Sequence, residues 1–212
     1  MTSAPTKSAP EPGAVARWEW RGLLRRPPRL VFHGVLVVTG LIVLWAFSFP
    51  GVHFLAVFPC IGIVGVAAIT WVARAITYLV ARHRGTCRGR AAWFAVAPLG
   101  AVALGALLAT HVPLRLRWEF SKPSFDDALE DVRSDPNGLT EWNPRRIGTY
   151  KINIVRVVQQ GIVFYDDVGA LFDDAGFAYL PEGPSDDMAN GNFENPQWFA
   201  LGDHWYAWTA SW

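Results

Sequence analysis

The chain has 212 residues, 51% of them hydrophobic and 17% charged, and a formal net charge of only +1. That total conceals a split: residues 1–112 carry eleven Lys+Arg against two acids (+9), and residues 113–212 carry eight against sixteen (−8). Two cysteines are too few for a disulfide-stapled scaffold, and the long apolar runs of the first half argue against an ordinary soluble domain.

Residues 2–16 are rich in Ser, Thr, Ala and Pro, a composition that cannot bury a core, and are expected to be a disordered tail. Arg17, Arg21, Arg25, Arg26 and Arg29 then interleave with Trp18, Trp20, Leu23 and Leu24. This reads as a basic juxtamembrane stretch on anionic headgroups. Beside an apolar span, retention of Arg on the cytoplasmic side accounts for the cluster, and no nucleic-acid partner is expected.

Three apolar runs follow: Leu30 to Phe49 (20 residues), Val52 to Ala73 (22) and Ala91 to Thr110 (20). About 20 apolar residues in a helix span a hydrocarbon core of roughly 30 Å, and unpaired backbone is not tolerated in lipid. The runs show almost no polar face, unlike soluble helices. They predict a three-helix transmembrane region over 30–112. Arg74, Arg82, Arg84, Arg88 and Arg90 lie between the second and third runs, whereas Ser48 to Val52 carries no charge. The N-terminus and second loop are therefore expected in the cytoplasm, and the first turn and C-terminal part outside. Trp45, Phe47 and Phe49 at one level, and Trp71, Trp93 and Phe94 at the other, agree with two aromatic belts. Pro50-Gly51 predicts a tight turn between the first two helices.

The first run also loosely matches a signal peptide ending at Ala46-Phe47-Ser48. Its length, and the second apolar run close behind it, favour a retained anchor. In the third run Ala97, Ala101, Gly105 and Ala109 recur every fourth position on one helix face. Small residues allow close backbone approach, to helices of the same chain or to a membrane partner or second copy. Gly62 and Gly65 could serve the same contact in the second run. Mid-span Asp, Glu, Lys and Arg are absent, which argues against a channel or transporter built from this chain alone. The residues from Arg74 to Arg90 are expected to extend the second helix a few turns. Cys60 and Cys87 are too far apart to pair.

Residues 113–212 suffice for one small core, expected to be an α+β extracytoplasmic domain with a mostly antiparallel sheet. After a connector, Ser124 to Arg133 reads as a short helix with Ser124 as cap, Asp127 completing an S-x-x-D box, and Phe125, Leu129 and Val132 as its apolar face. Asp135 to Gly138 is turn chemistry. Tyr150, Ile152 and Ile154 alternate with Lys151, Asn153 and Val155 in a strand over 147–158, with a turn at Gln159 to Gly161 and a return strand over 162–165. Further strands are expected over 176–180, 198–201 and 204–209, the last two joined around Gly202-Asp203.

Four acidic doublets, Asp126-Asp127, Asp166-Asp167, Asp173-Asp174 and Asp186-Asp187, lack the spacing of a calcium loop and read as turns and a helix cap. His204, Tyr206, Trp208 and Trp212 share one face by alternation. Such a row supplies core, or stacks on a sugar or peptide. Zinc-protease, nucleophile-elbow, P-loop and dinucleotide motifs are all missing, and no metal or cofactor is expected. A hydrolase would have to pair His204 with Asp173 or Asp203.

The blocks R-I-G-T-Y (146–150), G-I-V-F-Y (161–165), D-D-A-G-F-A-Y-L-P-E-G-P (173–184) and A-L-G-D-H-W-Y-A-W (200–208) resemble those of uncharacterised actinobacterial small multi-pass membrane proteins with an extracytoplasmic C-terminal domain. Sixteen Arg against three Lys fits a high-GC genome. The resemblance implies no activity. The expected role is a non-enzymatic cell-surface binding or scaffolding protein, in contact with membrane lipid, with Asp173, Asp174, His204, Tyr206 and Trp208 as surface-binding candidates. The alternatives are an accessory subunit packing through the third helix and a surface hydrolase.

Overall fold

The computed structural model describes residues 30–85, 92–134, 144–168, 173–185 and 193–211. The N-terminal tail and basic stretch, Cys87, Arg88, Arg90, the Asp135–Gly138 turn, Asp186-Asp187 and Trp212 lie outside the described residues. In chain order the elements are α1 (Leu30–Ala46), α2 (Phe54–His83), α3 (Ala92–Ala109), α4 (Val112–Ser134), β1 (Arg145–Ile147), β2 (Tyr150–Val158), β3 (Gly161–Asp166), β4 (Asp174–Tyr179), β5 (Glu194–Gly202) and β6 (Trp205–Ser211). They divide into two compact units, residues 1–38 with 62–101 and residues 39–61 with 102–212.

In the first unit the apolar helices bury little. α2 and α3 are long and apolar enough to cross a membrane, yet only 6% of the most apolar stretch of each is buried. Leu30, Ile69 and Leu99 are 82%, 72% and 66% exposed. Some polar groups are satisfied within the unit: Thr70 Oγ1 donates to Val66 O at 2.8 Å, and Trp71 Nε1 to Phe94 O at 3.1 Å. As expected, α2 continues past Ala73, to His83. α1 is 17 residues, shorter than the run that encodes it, because Phe47 to Phe49 leave the helix for a turn.

In the second unit six antiparallel strands form one sheet in the order β1-β2-β3-β4-β6-β5. Successive hairpins build β1 to β4. The chain then passes to the far edge as β5 and returns as β6 between β5 and β4. α4 covers one face. Its buried residues Leu114, Trp118, Ser121, Phe125, Ala128, Leu129 and Val132 recur at the helical period. They meet Tyr150, Phe164, Phe177 and Trp205 in an aromatic core, with Trp118 stacked on Phe177 at 4.8 Å and Phe125 edge-on to Phe164 at 5.4 Å. The opposite sheet face carries Val163, Tyr165, Leu180, Phe193 and Trp208.

Two expectations are corrected. There is no connector before the domain helix: α4 begins at Val112, two residues after α3, and runs through Pro123. Pro113 lies in the first turn, where a missing N–H is not needed, and the His111 carbonyl accepts from Arg115 N at 3.0 Å. Ser124 is therefore inside the helix and caps nothing. The second correction concerns β2, where the pairing slips between Ile152 and Ile154, a bulge that reverses the alternation. Val155, not Ile154, joins the core beneath α4, and Ile154 packs on the other face.

Gly148, between β1 and β2, has φ +57, and a Cβ there would lie 2.7 Å from Ser121 Cβ. The glycine lets the β1–β2 turn close directly onto α4.

Candidate functional site

The densest polar constellation centres on Arg117, one turn before Ser121 on α4. Its Nη1 donates to Ser48 Oγ at 3.0 Å, its Nε to Thr149 Oγ1 at 3.0 Å and its Nη2 to Thr149 O at 2.6 Å. The guanidinium also lies over the rings of Phe49 (3.9 Å) and Tyr150 (4.3 Å), a favourable cation–π arrangement. Tyr150 OH donates to Ser48 O at 3.0 Å, and Ser121 Oγ and Thr149 Oγ1 are 2.7 Å apart. The turn after α1 is thus fastened to the β1–β2 turn through α4. That turn is closed by Val52 N donating to Phe49 O and His53 N to Ala46 O.

Asp166 completes the constellation. It follows Phe164 by two residues on β3 and so points to the α4 side of the sheet. It is 7% exposed, and neither carboxylate oxygen makes a well-formed hydrogen bond. Burial raises its pKa from 3.8 to about 7, against the attraction of Arg117 and the weaker pull of the Val168 and Asp167 amides. Burial also lowers the pKa of Arg117 and raises that of Tyr150. The adjacent Asp167 behaves oppositely. It accepts from Lys151 Nζ at 2.7 Å and Asn153 Nδ2 at 2.6 Å, and these bonds hold its carboxyl below the usual range.

The surface-binding candidates do not converge. His204 sits with Asp203 in the β5–β6 turn, both in the left-handed region (φ 67 and 50), and its ring edge approaches Tyr179 at 6.2 Å. Asp203 pairs with Lys122 at 2.6 Å and is largely exposed. Tyr206 and Trp208 lie on the sheet face away from α4, where Trp208 is 1% exposed and donates its Nε1 to Phe177 O. Asp174 pairs with Ala210, whereas Tyr179 pairs with Trp205. Asp173 and Asp174 are therefore at the other end of β4 from His204, roughly 20 Å away at ~3.4 Å per residue. No His204–Asp173 acid–base pair forms. Among the described residues no three of His, Cys, Asp and Glu gather closely enough to hold a metal ion.

The small residues of α3 also divide. Ala97 and Ala101 line a cavity of about 200 Å³ with Phe32, Val64 and Trp71. Gly105 has open space where a Cβ would be, as have Gly62 and Gly65, so these glycines do not mediate close packing among the described residues.

Sequence reasoning missed Ser48, Arg117, Thr149, Tyr150 and Asp166 as a group. One signal was available: alternation through Ile162-Val163-Phe164-Tyr165-Asp166 puts the acid on the same face as two core residues. Comparison with family models, with curated proteins and with solved structures finds no match.

Proposed function

We propose that the chain is a multi-pass cell-membrane protein with a cytoplasmic N-terminus, in which α1, α2 and α3 span the bilayer and the C-terminal α+β domain faces outward as a non-enzymatic binding or scaffolding module. The observation that supports insertion is the scarcity of buried residues along α2 and α3. Apolar area in water is unfavourable at roughly 25 cal/mol per Å², and a lipid environment removes that cost. The 17 residues of α1 rise about 26 Å at ~1.5 Å per residue, enough to cross with its flanking aromatics at the headgroup level. Arg74 and Arg82 in the last third of α2, with Arg84 just past it, favour the cytoplasmic side for that end. The non-enzymatic reading draws support from the scatter of His204, Asp173 and Asp174.

A second reading, an accessory subunit of a larger membrane complex, is favoured by Gly105, which leaves a bare patch of backbone on α3 open to a partner helix.

The test is alkaline carbonate extraction combined with cysteine labelling. In a Cys60→Ala background, Glu182→Cys should react with a membrane-impermeant maleimide in intact cells, and Cys87 only after lysis. Release of the chain by carbonate rejects insertion; labelling of Cys87 in intact cells rejects the orientation. Replacing Gly105 with Leu separates the two readings, since it should disturb co-purification of partner subunits only in the second.

A further inference from the structure

We propose that Asp166 is a proton-operated latch on the turn after α1: with its carboxyl protonated, Arg117 clamps Ser48 to Thr149, and with the proton gone, Asp166 draws Arg117 away and frees the turn. All the parts belong to the second compact unit, so the device does not depend on the membrane reading.

The carboxyl stands where only a proton makes it inexpensive. Asp166 is 7% exposed, and neither oxygen has a well-formed hydrogen bond. As a neutral acid it gives up the water bonds of one polar group; as a carboxylate it is a buried charge with nothing in contact to offset it, which is far more costly. Arg117 attracts it, yet among the described residues the two form no ion pair, because the guanidinium is engaged elsewhere.

The guanidinium therefore has two competing sets of acceptors. Ser48 Oγ, Thr149 Oγ1 and Thr149 O are neutral and hold it at 3.0, 3.0 and 2.6 Å. A carboxylate binds a guanidinium through charge-assisted bonds roughly twice as strong as neutral ones. Loss of the Asp166 proton turns a bystander into the preferred acceptor. Among the described residues, the Tyr150 phenol on Ser48 O is then the hydrogen bond left between the turn and the sheet.

The neighbouring charges set the direction. Arg117 of α4 favours the ionised acid, whereas Asp167, next on the chain, favours the proton. Asp167 keeps its own charge through Lys151 and Asn153 of β2. Tyr150 of β2 keeps its proton because burial raises its pKa, and Arg146 of β1 acts on Arg117. Asp174 of β4 bears on Tyr165, on the other sheet face. Burial dominates and raises the Asp166 pKa to about 7, so the latch is closed at pH 5 and open at pH 8.

Hydrogen–deuterium exchange of the full chain in mild detergent, at pH 5 and pH 8 and corrected for the base-catalysed rate, tests the latch. The readout is the turn itself, where Val52 N donates to Phe49 O and His53 N to Ala46 O. Protection of these amides should fall by about a hundredfold between the two pH values, as one proton held up to about pH 7 gives. At pH 8 they should exchange as an open turn while β4 and β6 remain protected. Asp166→Asn should keep the turn protected at both pH values, and Asp174→Asn should leave the wild-type response intact. A turn equally protected at pH 5 and pH 8 would overturn the latch, as would opening of the turn together with β4 and β6, which is unfolding rather than release. The turn also holds His53, whose ring lies 5.8 Å from that of Phe49. A pH response that persists in Asp166→Asn, or is lost in Asp174→Asn, would place the sensor at another residue and refute the proposal.

Discussion

Arg117 Nη1 lies 3.0 Å from Ser48 Oγ, although 69 residues separate the two in sequence. This bond, with those to Thr149, makes the turn after α1 part of the same folded unit as the sheet. The Ser48 side of the junction is buried with the rings of Phe49 and Tyr150, so a polar partner lost there leaves another unsatisfied.

Tyr150→Phe should destabilise the domain by about 1–3 kcal/mol, because the buried Ser48 carbonyl loses its phenolic donor while the aromatic packing is kept. Chemical denaturation in detergent, followed by tryptophan fluorescence, reads this. An unchanged midpoint would mean that water replaces the phenol and that the junction is wet.

Asp166 predicts an unusual pH dependence. Its pKa is raised on folding, so the folded state holds the proton more tightly than the unfolded chain. Its stabilising contribution is complete below about pH 4 and is lost as pH rises through about 7. Arg117 and Asp167 are the ionisable groups that act on it, and it acts in turn on Tyr150. The wild-type domain should therefore be more stable at pH 5 than at pH 8, by up to a few kcal/mol. Asp166→Asn should flatten that difference and be the more stable protein at pH 8. Parallel denaturation curves for the two proteins across this range would contradict the assignment.

Gly148→Ala should cost about 2 kcal/mol or more, since alanine resists a φ of +57 and its methyl group would overlap Ser121. Gly105→Ala is the matched control: its methyl meets nothing within 4 Å, and a gain of no more than about 1 kcal/mol, from the helix preference of alanine, is expected. The comparison is by urea midpoint, and equal shifts for the two variants would refute the close approach at Gly148.

In the β5–β6 turn, His204→Gly should raise stability by several tenths to about 1 kcal/mol. Two consecutive residues of positive φ define the hairpin turn that favours glycine at its second position. A melting temperature that falls would show that the His204 ring contributes more through Tyr179 than its backbone loses.

The sequence made the strands legible and the junction opaque, for separable reasons. Alternation of β-branched and polar residues marks β2 and β3, and the Gly202-Asp203 pair marks the last hairpin. The bulge at Asn153 leaves no local trace, because it exists only in the pairing with β3. The start of α4 is hard to see in sequence because it contains Pro113 and Pro123, residues that usually break a helix, although the first sits harmlessly in the opening turn. It was also masked by Ser121, a polar residue on the buried stripe that is needed there because Gly148 leaves room for nothing larger. In sequence Arg117 is simply a charge a few residues beyond an apolar run. Only the fold reveals that it reaches Ser48 and Thr149.

The two-residue step from α3 to α4 has a mechanical consequence. A domain on a long linker swings freely and samples many heights above its anchor. Here the sheet is held twice, by the Thr110-His111 step and by the Arg117 clamp on the turn after α1. Two fixed points remove the swivel that a single hinge would permit. Within its own compact unit the sheet therefore keeps a fixed position against the last turns of α1 and α3, instead of swinging on a tether.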